Sequence, residues 1–313
     1  MNPTITMRER VEYYLRHKRN MGFQLRIEGE QLLRFAEYAD KKGNNIPLSA
    51  DLAIEWIRSS KKKSRLTWAR RLEIIRTFTK YYQIIDPSTE VPSNHLFGPA
   101  HKRIMPHIFS EQEINDLLTA ITQILSFSGL RGITFSYLFG LLVTTGMRVS
   151  EALSLKDDDI DLSKRIITIR DTKFKKSRHV VIHSTTSHAL KKYLTLRNQH
   201  IPDPTNSNFF IGKDGKRLNV RQADYAFGCL RKHLGWSKKP RIYDLRHTFI
   251  CNRLLTWYQE GKNVQQLIVF LSTYVGHVKV TDTDWYITGI PELMKITSKR
   301  FELYTQNITG ELQ

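Results

Sequence analysis

The chain has 313 residues, of which 40% are hydrophobic and 25% are charged, a composition typical of a soluble globular protein that buries substantial cores. Its most hydrophobic stretch, YLFGLLVTTGM, is too short to cross a bilayer. Lys and Arg number 49 against 30 Asp and Glu, and the net charge of +19 divides into +7 before residue 97 and +12 after it. This spread excludes a basic tail and predicts two basic lobes that bind nucleic acid, with an acidic membrane surface as the weaker alternative.

The cysteine content and the first residues indicate the compartment. Cys229 and Cys251 lie in apolar helical contexts, which predicts two buried free thiols rather than a disulfide, and no metal-ligand spacing is present. The segment MNPTITMRERVEYYLRHKR lacks the apolar core of a signal peptide. We therefore expect a cytoplasmic, nucleoid-associated protein without a membrane segment, a metal or a cofactor.

The first domain, residues 1–90, is predicted to be helical because its apolar residues recur three and four positions apart. A basic run, KKKSRLTWARR, precedes the last of its helices and has two interpretations, a solvated helix start or a phosphate-binding surface that includes Trp68. The predicted helices are 7–20, 24–43, 48–60 and 64–83, and the candidate DNA-binding residues are Lys61, Lys62, Lys63, Arg65, Arg70 and Arg71.

Residues 84–107 contain four prolines and no sustained apolar period, and we place a linker at 91–107. The second domain is then 108–313. In chain order it should contain helices near 110–121, 132–145 and 149–155, two strands within 165–183 joined by a basic turn, and helices at 185–198, 220–234, 241–255, 262–275 and 291–306.

Several polar residues in the second domain have ordinary explanations when each is considered alone. Arg148 and Glu151 could form a helix ion pair, Lys173 could lie on a solvated turn beside Lys175 and Lys176, His277 could cap a helix, and Tyr286 could pack on the core. Arg246 is the exception, because it begins an apolar helical face and no Asp or Glu follows it for a dozen residues.

Together these groups suit metal-free cleavage of a phosphodiester. Guanidinium groups bind the non-bridging oxygens, a tyrosine can attack phosphorus and hold the chain covalently, and a lysine can protonate the oxygen that leaves. The unpaired guanidinium of Arg246 would then have the scissile phosphate as its partner.

Residues 109–304 resemble the catalytic domain of the tyrosine recombinases, the integrase family of phages and mobile elements. The resemblance is carried by TTGMRVSEALSL, by the basic hairpin turn, by YDLRHTF and by VGHVKVTDTDWY, in that order. It implies a mainly α fold with a small β-sheet or hairpin in the catalytic domain, and a two-domain clamp whose helical lobe is a core-binding domain. The residues that match the family's catalytic positions are Arg148, Lys173, Tyr243, Arg246, His277 and the nucleophile Tyr286, with Glu151 as a supporting acid.

One position departs from the family pattern. Tyr243 stands where the family usually has His, three residues before the second catalytic arginine. A phenol with an ordinary pKa of ~10 is a poor base near neutral pH, so Tyr243 is predicted to bind phosphate and the identity of the base is open. His247 belongs to the same motif and is expected to be structural. Trp285 could form a wall of the site or pack in the core.

The resemblance further implies the partners and the reaction. Protomers that are monomeric in solution would bind inverted-repeat sites on double-stranded DNA as a homotetramer, with possible accessory proteins, and exchange strands through 3′-phosphotyrosyl links. Residues 291–306 are the candidate for packing on a neighbouring protomer, although packing on the same protomer is an alternative. The ending WYITGIPELM resembles transposon-encoded members.

Three other functions remain as alternatives at this stage. A type IB-like topoisomerase would share the active-site chemistry, but the helical first lobe favours a recombinase. A catalytically weak DNA-binding regulator is suggested only by Tyr243. A metal nuclease could use KDDDIDL, residues 156–162, although those aspartates are better explained as turn and capping residues.

Overall fold

The structure is a computed structural model that describes residues 5–43, 47–101, 105–125, 129–170, 177–202 and 207–289. The chain forms two compact units, Met1–Ile104 and Met105–Gln313. The predicted mainly α fold with a small β-sheet is confirmed. No helix within the described ranges is both long and apolar enough to cross a membrane.

Unit 1 is a bundle of helices around an aromatic core. Thr6 caps the first helix in a reciprocal capping box with Glu9, and serine side chains cap the third and fourth helices. Phe35 and Trp56 pack edge to face at the centre, with ring centroids 5.4 Å apart. The helices are α1 (Met7–Asn20), α2 (Arg26–Lys41), α3 (Ala50–Arg58) and α4 (Arg65–Ile85).

The segment after α4 packs against unit 1. The Glu90 carboxylate accepts a hydrogen bond from the main-chain N–H of Ala50 at 2.8 Å, and the Phe97 ring lies 5.5 Å from the Trp68 ring. Phe97 therefore anchors part of the predicted linker, 91–107, to the helical bundle, because burying this ring removes apolar surface from water.

Unit 2 is built around the apolar helix α6, whose Phe135, Leu138, Phe139 and Leu142 are buried. The unit contains α5 (Glu111–Leu125), α6 (Leu130–Thr145), α7 (Val149–Ala152), a 3-10 turn (Asp157–Asp159), β1 (Ile160–Asp161), β2 (Ile166–Ile169), β3 (Arg178–Val181), α8 (Ser184–His200), α9 (Val220–His233), α10 (Asp244–Gln259), α11 (Val264–Val275) and α12 (Thr281–Gly289).

The sheet is antiparallel in the order β1-β2-β3, and Ile167 of β2 faces Val180 of β3. The two-residue strand β1 was not predicted, because it is too short for an alternating pattern. Cys251 is buried, whereas Cys229 is only half-buried, which corrects the expectation that both would be buried. The predicted helix 291–306 lies outside the described residues.

Two helix ends position the candidate site. Helices α6 and α11 each end at a glycine with positive φ, Gly146 at 61° and Gly276 at 71°. The left-handed conformation lets the chain turn sharply. Arg148 and His277 therefore follow closely after the ends of two helices that both pack against α10.

Candidate active site

Arg246 is the buried cation at the centre of the site. Its side chain, on the first turn of α10, is 2% exposed. Its Nη1 donates to the Gly146 carbonyl at 2.8 Å and its Nη2 to the Val275 carbonyl at 2.6 Å. Both carbonyls lie at helix C-termini, where the helix dipole places partial negative charge.

These carbonyls do not satisfy the whole guanidinium. The Nε of Arg246 is buried without a hydrogen-bond partner among the described residues. Burial and the neighbouring charge of Arg148 lower the pKa of Arg246 to about 10. A buried cation with an unsatisfied donor is strongly stabilised by an anion, so the site is electrostatically prepared to bind one.

Arg148 lies beside Arg246 at the start of α7. Its Nη1 contacts the Glu151 carboxylate at 2.7 Å and its Nη2 donates to the Gly276 carbonyl at 2.9 Å. Its side chain is 30% exposed, which leaves part of the guanidinium accessible to a ligand. The two guanidinium groups thus converge around the carbonyls that end α6 and α11.

Glu151 links Arg148 to a third arginine, Arg178. The Nη1 and Nη2 of Arg178 lie 3.1 and 2.8 Å from the two carboxylate oxygens of Glu151, and its Nε donates to the Tyr274 carbonyl at 2.8 Å. Although burial alone would raise it, these arginine contacts hold the pKa of Glu151 at about 2. The first residue of β3 is therefore fastened to the end of α11.

No role was predicted for Arg178 from the sequence, and the structure places it in a buried network. No local signal distinguishes it from the neighbouring basic residues, because its partners lie 27 and 96 residues away in the chain. The need of Glu151 for a second cation is the signal that could have found it, since a carboxylate is rarely buried without full compensation.

His277 follows α11 and faces the arginines. Its Nδ1 lies 2.7 Å from the Thr283 hydroxyl. Burial, and then repulsion by Arg246 and Arg148, lower the pKa of His277 to about 3. The imidazole is therefore neutral near physiological pH and carries a single N–H, which suits a hydrogen-bond donor better than a cation.

Tyr286, on α12, is 2% exposed and meets two histidines. Its hydroxyl lies 2.5 Å from Nδ1 of His247, and its ring is nearly parallel to that of His277, with centroids 6.4 Å apart. His247 was expected to be structural, but it contacts the hydroxyl of the predicted nucleophile. Tyr243 is 39% exposed and packs edge-on against His247 at 5.0 Å.

The structure brings most of the predicted catalytic positions together. Trp285 lies 6.4 Å from the His247 ring and so borders the site. Lys173, Lys175 and Lys176 lie outside the described residues. The residues that the structure groups around the two helix ends are Arg148, Glu151, Tyr243, Arg246, His277 and Tyr286.

The basic residues of unit 1 form a separate feature. Lys61, Lys62, Arg70 and Arg71 line a groove of about 910 Å³, and Lys63 and Arg65 are exposed on the same segment. Arg71 also stacks on the Trp56 ring at 4.4 Å and donates to its carbonyl at 3.0 Å, so part of its role is structural.

Trp68, which the sequence suggested as part of a phosphate-binding surface, is half-buried against unit 1. Its indole N–H donates to the Ser60 hydroxyl at 3.1 Å and its ring packs on Phe97. The aspartates of KDDDIDL have structural partners, because Asp157 pairs with Arg197 and Asp159 with Arg170. Among the residues that the structure covers, no cluster of three or more His, Cys, Asp or Glu could hold a metal.

The chain is similar to known proteins over most of its length. A sequence profile of the phage integrase family matches residues 107–289. The chain is 37% identical over 307 residues to y4rB of Sinorhizobium fredii (strain NBRC 101917 / NGR234), whose name describes an integrase/recombinase, and the match covers 95% of this chain and 97% of that protein. It is 25% identical over 265 residues to the tyrosine recombinase XerC of Leptospira interrogans, covering 83% and 81% of the two chains.

Solved structures show the same fold. The XerH site-specific recombinase in a post-cleavage complex with its difH substrate has a TM-score of 0.63 and 20% identity, and the match covers 93% of this chain and 84% of that one. The Tn1549 transposon integrase in complex with a circular intermediate DNA has a TM-score of 0.65 and 17% identity, with 95% and 99% covered.

Proposed function

Because the chain belongs to the phage integrase family, the tyrosine recombinases, and is thus an enzyme that cleaves and rejoins DNA, we propose that it is a site-specific recombinase acting through a 3′-phosphotyrosyl intermediate on Tyr286. One observation carries the proposal. Arg246 is buried with an unsatisfied Nε, and its charge interacts with both Arg148 and Tyr286, whose hydroxyl contacts His247. The carboxylate that the described contacts show beside these cations is Glu151, which pairs with Arg148 and Arg178.

In the proposed reaction the scissile phosphate supplies that anion. The guanidinium groups of Arg148 and Arg246 hold its non-bridging oxygens and stabilise the charge of the pentacoordinate transition state. Neutral His277 donates one further hydrogen bond. The Tyr286 oxygen bonds to phosphorus, the bond to the 5′ oxygen breaks, and Lys173 protonates the departing oxygen. Attack by the partner strand's 5′-hydroxyl reverses these steps and rejoins the DNA.

Unit 1 is proposed to grip the duplex through its basic groove. The exposed lysines of residues 61–63 and the guanidinium of Arg70 can neutralise phosphates without reading base sequence. Because the solved Tn1549 transposon integrase shares the fold, we propose that the DNA substrate is the end or junction of a mobile element. Integration, excision and resolution would all use the same chemistry.

Assembly on DNA as a tetramer is part of the proposal. Unit 2 has a groove of about 680 Å³ between α6, α10 and α11, lined in part by Phe249, Trp257 and Phe270. Phe270 is 70% exposed, which is costly for a large apolar side chain unless a partner covers it. Residues 291–306 of a neighbouring protomer are the proposed occupant, and Phe270→Asp should weaken assembly of two protomers on one site while preserving single-protomer binding.

The chemistry is tested with nicked suicide substrates made from the DNA that flanks the gene. Wild-type protein in EDTA should form an adduct that resists SDS and is removed by protease, and Tyr286→Phe should form none. Tyr225→Phe is the matched control, because Tyr225 is 68% exposed on α9. An adduct that survives in Tyr286→Phe would exclude this nucleophile, and an adduct abolished by EDTA would favour a metal nuclease.

A further inference from the structure

The contact between His247 and Tyr286 bears on a step that the proposed function leaves open. A tyrosine hydroxyl has an ordinary pKa of ~10, so its attack on phosphorus near neutral pH requires a group that accepts the phenolic proton. Nδ1 of His247 and the Tyr286 oxygen are 2.5 Å apart, a direct hydrogen-bond contact through which the proton can pass.

The other described groups around Tyr286 are poorly suited to this task. His277 has its Nδ1 at the Thr283 hydroxyl, and a pKa of about 3 makes it a weak base. Tyr243 is itself a phenol. Glu151 has both carboxylate oxygens occupied by arginines.

The surroundings of His247 also fix its ring. The ring of Tyr243, the residue before α10, packs edge-on with its centroid 5.0 Å from that of His247. The Trp285 ring on α12 lies 6.4 Å away. The titratable groups around the imidazole are Tyr243 of its own segment, Tyr286 of α12 and His277 after α11. The charged Arg246 precedes His247 in the chain and interacts with Arg148. The imidazole is therefore held with one nitrogen directed at the nucleophile.

We propose that His247 is a further catalytic residue, the proton acceptor of Tyr286. In the step, the O–H bond of Tyr286 breaks, its proton moves to Nδ1 of His247, and the phenolic oxygen forms the bond to phosphorus as the 5′ oxygen leaves with its electron pair. In the rejoining step the phosphotyrosyl bond breaks and the proton returns from Nδ1 to the tyrosine oxygen. This inference rests on the proposed function, because it names a residue for the same reaction.

The test measures single-turnover adduct formation on the suicide substrate between about pH 5.5 and 9. Relative to wild type, His247→Ala and His247→Gln should both be slowed by about 10²-fold or more near pH 7, and their rates should rise with pH as hydroxide replaces the base. Added imidazole should partly restore His247→Ala. The Gln variant separates proton acceptance from a hydrogen bond, since its amide can bond the hydroxyl but takes no proton. His188→Gln is the control, because His188 is exposed on α8.

Each outcome distinguishes the two proposals. If wild type forms the adduct and His247→Gln matches its rate and pH profile, His247 only orients the tyrosine and the inference is wrong. Faster cleavage by His247→Ala would show that the contact restrains a resting tyrosine, which also overturns it. If wild type forms no adduct on any flanking DNA while it still binds that DNA, the proposed function fails and the inference fails with it. Half-site binding by each variant shows that it has folded.

Discussion

Arg246 illustrates how a single residue can be buried at a cost that its protein contacts offset only in part. Main-chain carbonyls satisfy two of its nitrogens, and Nε has no partner among the described residues. We predict that Arg246→Lys lowers the rate of adduct formation by about 10²-fold or more, because an ammonium cannot reach both helix ends and the phosphate together. Single-turnover cleavage measures this effect.

The control for this change lies on the same segment. Arg241 pairs with Asp244 and its side chain is 45% exposed, so Arg241→Lys keeps a partly solvated charge and should cleave at a rate close to wild type. Equal rates for Arg246→Lys and wild type would mean that the planar guanidinium is unnecessary, and would contradict the proposed role.

Some of the site residues can be identified from the sequence alone and others cannot. The motifs around Arg148, Arg246 and Tyr286 can be recognised because each is a short run of neighbouring residues. The role of His247 could not be derived, since the hydroxyl that it contacts is 39 residues away and depends on how α12 packs against α10. Because His247 belongs to the same motif as Arg246, it was expected to have only a structural role.

The ends of helices α6 and α11 determine where the arginines meet. At Gly146 an added Cβ would clash with the ring of Phe249, on a backbone with φ of 61°. Gly146→Ala should therefore destabilise unit 2 by about 1–2 kcal/mol for the left-handed conformation, with a further cost from displacing the Phe249 ring. Denaturant unfolding measures the loss.

Gly261 is the matched control, because it has a similar φ of 70° and an added Cβ there would meet nothing within 4 Å. Gly261→Ala should thus show the conformational cost alone. If the two variants lose equal stability, the close packing of Phe249 against the end of α6 contributes nothing. A Gly146→Ala variant as stable as wild type would contradict the described turn.

The sheet and α11 are joined through Arg178. Removing its guanidinium leaves Glu151 buried with Arg148 as its remaining described ion-pair partner. We predict that Arg178→Met costs about 3 kcal/mol of folding stability, because breaking a buried pair leaves a charge incompletely compensated. It should also slow cleavage, since Gly276 and His277 lose a neighbour that holds the end of α11. Urea unfolding and single-turnover cleavage report the two effects.

The exposed pair of Lys164 and Asp161 is the control for this prediction. Their nitrogen and oxygen atoms are 3.5 Å apart, with side chains 76% and 40% exposed, so Lys164→Met should change stability little. Matching losses for the two variants would indicate that the Arg178 contact is no stronger than a surface pair.

The elements themselves follow from the sequence to different degrees. Helices α1 to α4 lie within a few residues of their predicted positions, because regular apolar spacing specifies them locally and Ser or Thr caps begin α1, α3 and α4. Helix α12 was not predicted as a helix, since TDTDWYITG shows no apolar period and its buried Thr283 and Tyr286 are stabilised by tertiary contacts. Such an element exists because of its packing against α10 and α11.

At the scale of the whole molecule, the lowered pKa values of His277 and Glu151 should make stability sensitive to acid. His277 has an ordinary pKa of 6.5 and a pKa of about 3 in the folded protein. Below pH 6.5 the unfolded chain therefore binds a proton that the folded chain does not, and stability falls as pH decreases. Glu151, with a pKa of about 2 against 4.5, adds stability above pH 4.5 that is lost as pH falls toward 2.

Between pH 6.5 and 5 the His277 effect should cost unit 2 roughly 1–2 kcal/mol in the absence of DNA. Hydrogen exchange of the α6 and α10 amides measures the stability of this unit separately from unit 1. His277→Gln should remove most of this pH dependence, whereas His188→Gln should retain it. DNA should also reduce the slope, because a phosphate beside His277 favours the protonated imidazole. An identical slope in wild type and His277→Gln would show that the arginines do not suppress protonation of His277, and so would contradict a cationic pocket built to receive phosphate.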